Sequence, residues 1–134
     1  MTGNTDIDGR GQLALLDLRK QAIVKLIQFS QNEFIGPVVF SPDGSLAYVV
    51  SNQRNPGQVQ VKVFDLVSKQ IANTFSAGDG IGKAIAITPD GSELEVGNYA
   101  NATVVAMDVH SGAVSGTSAV LGAVFSITVS ADGQ

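Results

Sequence analysis

The stretch Phe40-Ser41-Pro42-Asp43-Gly44-Ser45-Leu46-Ala47-Tyr48-Val49-Val50 decides the fold of this chain. Apolar, β-rich runs flank Ser-Pro-Asp-Gly, in which every residue favours a turn. Pro presets φ, Asp can hydrogen-bond its own downstream backbone, and Gly takes the positive φ that closes a hairpin. The signal returns as Thr88-Pro89-Asp90-Gly91 and as Ser130-Ala131-Asp132-Gly133. The chain is therefore a set of repeats.

Two further landmarks keep step with the turns. Apolar strands end in Leu15-Leu16-Asp17-Leu18, Val63-Phe64-Asp65-Leu66 and Ala106-Met107-Asp108-Val109, their aspartates 48 and 43 residues apart. The turn aspartates Asp43, Asp90 and Asp132 are spaced by 47 and 42, and Asn4, Asn52 and Asn98 close the strand before. A period in the forties with several short strands per repeat is the signature of propeller blades. Four strands fit each complete repeat. In the first they are 36–41 (innermost), 46–51, 58–66 and 71–76; in the second, 84–88, 93–97, 103–109 and 113–118. Val59-Gln60-Val61-Lys62-Val63 alternates as a strand with one wet face does, whereas Ala84-Ile85-Ala86-Ile87 suits a strand packed on both faces. Segment 12–26 is assigned to two strands joined at Leu18-Arg19-Lys20-Gln21 rather than to a helix.

The predicted fold is all-β: blades of four antiparallel strands in an incomplete ring, two whole blades plus parts of two others. The repeats run approximately 1–34 (partial), 35–80, 81–122 and 123–134 (partial), all within one partial propeller domain spanning 1–134. Closing a ring of four to eight blades needs roughly 180 to 360 residues, so the chain is expected to be a piece of a larger protein.

Composition narrows the function classes. Charged residues are 15%, apolar ones 44%, and there are 15 glycines, as short apolar strands between glycine turns require. A net charge of -4 argues against a nucleic-acid partner. No run of 18 apolar residues is present, so no transmembrane helix is encoded. Residues 1–8 lack the basic and apolar parts of a signal peptide. Without cysteine there is no disulfide framework, thiolate zinc site or thiol nucleophile.

The run Pro89-Asp90-Gly91-Ser92-Glu93-Leu94-Glu95-Val96-Gly97-Asn98-Tyr99, followed by Thr103-Val104-Val105-Ala106-Met107-Asp108, resembles the YVTN-type β-propeller repeat. Tyr48-Val49 keep the pattern; Glu95 and Gly97 replace its tyrosine and threonine. The resemblance covers nearly the whole chain. It implies a bladed β fold, often seven-bladed, and a secreted, periplasmic or cell-surface location. Lactonase-type enzymes and quinoprotein-like proteins are similar to this family in architecture, and fold does not choose among them.

Candidate chemistry is sparse. Asn4, Asp6 and Asp8, with Gly9, have the opening spacing of a calcium loop, but Leu15 stands where a bidentate Glu is needed. They come nearest to a metal set, and a solvated loop accounts for them better; no metal and no cofactor is expected. Asp17, Asp65 and Asp108 recur in every blade, which assigns them to turns. Asp43, Gly44, Asp90 and Gly91 are likewise structural turn residues. His110, the sole histidine, lies in a turn with no serine and carboxylate expected beside it. Asn101-Ala102-Thr103 matches the N-glycosylation pattern, and the glycines of 76–82 link two blades rather than cradle phosphate.

The expected function is a non-catalytic binding or interaction module, with no catalytic residue assigned. Its partners would be protein, the remaining propeller blades or a second copy, met through loops and open strand edges. The alternative is a fragment of a lactonase-like hydrolase, whose charged groups would converge from inner strands. Val38-Val39-Phe40, Ile85-Ala86-Ile87 and Ile127-Thr128-Val129 carry none.

Overall fold

The computed structural model describes residues 2–3, 12–54, 57–124 and 126–131. Its strands are β1 (Thr2–Gly3), β2 (Gln12–Asp17), β3 (Ala22–Gln28), β4 (Glu33–Phe40), β5 (Leu46–Arg54), β6 (Gly57–Asp65), β7 (Gln70–Asp79), β8 (Gly82–Ile87), β9 (Glu93–Asn98), β10 (Thr103–Asp108) and β11 (Val114–Ala119). They form three antiparallel meanders, β1-β2-β3, β4-β5-β6-β7 and β8-β9-β10-β11, each in sequence order. None closes on itself. Four-stranded antiparallel meanders stacked in a row match propeller blades, and here the row is unclosed.

Strand alternation explains the stacking. On β5, Tyr48 and Val50 point to the last sheet, where they meet Leu94, Val96 and Met107 beside Val59, Val61 and Val63 of β6. Ala47 and Val49 point the other way, towards Leu13, Phe29 and Phe64. The middle blade is thus packed on both faces, and Val49, Val50, Val59 and Val61 lose all solvent contact. Burying each stabilises the fold by about 1.5–3 kcal/mol.

Turn chemistry sets the register. Gly44 and Gly91 both have φ of 75°, the left-handed conformation that closes the β4–β5 and β8–β9 hairpins. The hairpins ending in Asp17, Asp65 and Asp108 share a second device. Four residues on, Gln21, Lys69 and Gly112 have φ of 51°, 60° and 71°, and in each hairpin the pairing shifts near the turn. Glycine occupies that position only in the last blade.

Three expectations need correction. Gln53, Arg54 and Gly57, assigned to a loop, continue β5 and β6, because the two strands keep exchanging backbone hydrogen bonds as far as the Arg54–Gly57 pair. The wet face expected for β6 is largely covered: Lys62 is 17% exposed, paired with Glu33 of β4 and lying over the Phe29 ring. Residues 127–129 form no strand, since among the described residues no strand lies beside them to complete a ladder. Val124 and Ile127 cover Gly97 instead, on the far face of the last sheet.

Candidate functional site

The two proline–aspartate–glycine turns come together. Pro42 lies where a Cβ on Gly91 would approach its Cδ to 3.1 Å, so adjacent blades place these turns side by side. Between them is a cleft of about 220 Å³. Asp43 and Asp90 stand at its rim, Leu46 and Val109 form apolar walls, and Tyr48 and His110 complete the lining.

Each rim carboxylate is held by its own turn. Asp43 Oδ1 accepts from the Ser41 hydroxyl (2.6 Å), the Ser45 hydroxyl (2.7 Å) and the Ser45 N–H (3.0 Å). Asp90 Oδ1 accepts from the Thr88 hydroxyl (2.7 Å), the Ser92 hydroxyl (2.7 Å) and the Ser92 N–H (3.0 Å). Donors of this kind favour the ionised form. The Ser41 hydroxyl, then the Ser45 donors, lower the Asp43 carboxyl to about 2; the Thr88 hydroxyl, then the Ser92 donors, do the same for Asp90.

Tyr48 is the deepest polar group here. Only 2% exposed, it is fixed in the core by Val50, Val61 and Met107. Burial raises the pKa of its phenol, and the charge of Asp43 raises it further. The sequence marked Tyr48 only as part of a strand pattern.

His110 enters the same cleft, contrary to expectation, because the turn after Asp108 abuts the preceding blade. Ser41, Ser45, Asp43 and Asp90 are all cleft residues with it. They do not form a nucleophilic relay. Both serine hydroxyls donate to Asp43, and among the described residues no hydroxyl hydrogen-bonds the imidazole.

The aspartates at the other hairpins cap their turns. Asp17 Oδ1 accepts from the N–H of Arg19 (2.9 Å) and Lys20 (3.2 Å), Asp65 Oδ1 from Val67 (2.8 Å) and Ser68 (3.1 Å). Asp108 Oδ1 accepts from the N–H of His110 (2.9 Å) and Ser111 (2.8 Å). The Ser111 N–H and hydroxyl, then the His110 N–H, lower the Asp108 carboxyl.

The opposite end of the blades holds two features the sequence did not reveal as sites. Asn52, buried, donates from Nδ2 to Gly82 O (3.0 Å) and accepts at Oδ1 from Gly82 N–H (2.7 Å). Asn98 donates to Asp79 O (2.6 Å), so the asparagine landmarks clamp the link between blades. Their recurrence at the strand ends, 46 residues apart, was the only available signal. The second feature is an ion pair between Glu33 and Lys62 (2.8 Å), with the Ser51 hydroxyl also donating to Glu33. Burial would raise the Glu33 carboxyl, but hydrogen bonds from Lys62 and Ser51, with the charge of Lys62, outweigh it and leave the pKa lowered. Paired in this way, the charges can be buried.

Both inner strands therefore carry a charge, at Glu33 and Lys83, just upstream of the segments expected to be neutral. The two are engaged separately: Glu33 by Lys62, and Lys83 against the Tyr99 ring at 5.0 Å. Among the described residues, no three His, Asp or Glu side chains are grouped to hold a metal ion, and no helix is long and apolar enough to cross a membrane. Asn4, Asp6, Asp8 and Asp132 lie outside the described residues.

No protein-family model matches the chain, and no curated protein matches it in sequence. Solved structures do: 369 chains match, so the architecture is too widely shared to select a function. One is a chain of Kuenenia stuttgartiensis hydrazine synthase, with a TM-score of 0.82 and 14% identity over 98% of this chain. This chain spans 49% of that one. At such identity the likeness is one of fold: the protein is built as an all-β row of antiparallel, propeller-type blades.

Proposed function

We propose that the protein is a non-catalytic binding module, part of a YVTN-like β-propeller acting outside the cytoplasm as a secreted, periplasmic or cell-surface protein. The observation that carries this is how the turn cleft uses its polar groups. Its serines hold the turns in shape, while Asp43 and Asp90 stand at the rim of a concave surface on a rigid two-blade carrier. The repeated turn geometry at Gly44 and Gly91 supports the YVTN-like register, and the location rests on that resemblance. Partners are proteins or further blades, met at the turns or along outer strands such as β11, exposed at every residue.

A panel of lactones tests the non-catalytic assignment. Hydrolysis at the uncatalysed rate is expected, with His110→Ala changing nothing. Turnover that His110→Ala abolishes, at unchanged melting temperature, would replace the binding module with a lactonase-like hydrolase.

A further inference from the structure

We propose that the cleft between the two proline–aspartate–glycine turns is a subsite for a cationic side chain, the guanidinium or alkylammonium of a partner polypeptide. This rests on the binding-module assignment above and supplies the chemistry of the partner.

Three features converge on a cation. The hydrogen bonds that hold Asp43 and Asp90 all fall on Oδ1, so each carboxylate keeps Oδ2 for a ligand. Tyr48 supplies the second, independent observation. Its side chain is nine-tenths buried and more, it lines the cleft, and among the described residues its hydroxyl has no hydrogen-bond partner. A ligand donor that enters the cleft can hydrogen-bond this hydroxyl. Third, no Lys or Arg lines the cleft to neutralise the carboxylates.

The shape selects the kind of cation. A divalent metal ion would need six or more oxygen ligands, and two carboxylate oxygens with one phenol fall short. A cation on a methylene stem fits better. Leu46, Val109 and Pro42 offer apolar wall to the stem, and a volume of about 220 Å³ admits a guanidinium with part of its chain. A guanidinium also presents several N–H donors in a planar fork, so one group can serve more than one acceptor of the cleft. At the rim the attraction is screened, so a single side chain binds weakly and serves as one anchor within a larger contact.

The test is ligand-observed NMR on the whole protein with Nα-acetyl-arginine methylamide, its lysine counterpart, and the neutral citrulline isostere of the first. Expected are saturable binding of the two cations, none of citrulline, and weakening by roughly threefold or more in both Asp43→Asn and Asp90→Asn. Asparagine keeps an oxygen for the turn, so these variants retain the fold, which melting curves verify. Asp79→Asn, which removes the same charge at the opposite end of the blade, should bind like the wild type. Tyr48→Phe should weaken binding while leaving citrulline unbound. Equal binding of citrulline, loss in Asp79→Asn as large as in Asp43→Asn, or displacement of the probe by calcium chloride in place of potassium chloride at equal ionic strength would overturn the proposal. The lactone panel is independent: silent lactones with no cation binding remove only the subsite, whereas lactone turnover with cation binding removes only the non-catalytic assignment.

Discussion

Asn52, at the end of β5, exchanges two hydrogen bonds with Gly82, the first residue of β8, and so ties the second strand of one blade to the innermost strand of the next. Both partners are buried. Asn52→Ala leaves the Gly82 N–H and C=O unpaired. It should destabilise the protein by about 2–4 kcal/mol, read from urea denaturation. Asn52→Asp keeps the acceptor but sets an unpaired carboxylate oxygen against Gly82 O at a buried site, and should cost at least as much as Asn52→Ala. A loss under about 0.5 kcal/mol for Asn52→Ala would remove the clamp from the account of stability.

Gly82 owes its identity to the same junction. A Cβ there would stand 2.7 Å from Cγ1 of both Val50 and Val59. Gly82→Ala should cost about 1–3 kcal/mol through overpacking, and Val50→Ala in the same chain should recover part of it. A double-mutant cycle measures the recovery; strict additivity would place the strain elsewhere.

The turns can be tested against each other. Gly44 has φ of 75° with nothing near its missing Cβ, so Gly44→Val is penalised by backbone conformation alone, about 1–2 kcal/mol. Gly57 opens a strand and meets only Gly80 O at 3.8 Å, so Gly57→Val should be nearly neutral. Thermal melting of the two variants compares them directly, and equal effects would refute the hairpin register.

Lys69 offers a gain instead of a loss. It holds φ of 60°, where its relative in the last blade is Gly112. Lys69→Gly should stabilise the protein by about 0.5–1 kcal/mol, since relief of the left-handed strain exceeds the added chain entropy. Chemical denaturation with an unchanged slope is the appropriate measure.

Acid should weaken the turn cleft in a defined window. Asp43 and Asp90 ionise at about 2 in the folded protein, against about 3.9 in an unfolded chain. A folded pKa below the unfolded one means that the unfolded state binds more protons. The stabilisation is complete above about pH 4 to 5, declines through the interval, and is gone below about pH 2. Asp108 and Glu33, also lowered, act in the same direction. Melting temperatures from pH 5 to pH 2 should therefore fall less steeply in the Asp43→Asn, Asp90→Asn double variant. Parallel profiles would contradict the assignment.

The repeating order of this protein was present in local sequence, because turns and strands are local physics. Pro42-Asp43-Gly44 and Pro89-Asp90-Gly91 specify hairpins through φ and side-chain-to-backbone hydrogen bonds that span two residues, and so the blades could be read in order. Alternation in β6 named the apolar face, Val59-Val61-Val63, by the same local rule. The sites were not legible, since they depend on residues brought together by blade stacking. Asn52 meets Gly82 thirty residues on, Glu33 meets Lys62 across β5, and His110 meets the Asp43 turn only because one blade packs on the next. Even the solvation of Lys62 was decided this way: a polar residue alternating with valines reads as exposed until Glu33 and the Phe29 ring close on it. Hydrogen-bonding turns declare themselves within four residues, whereas pairing of charges and burial of polar groups is settled by which sheet faces which.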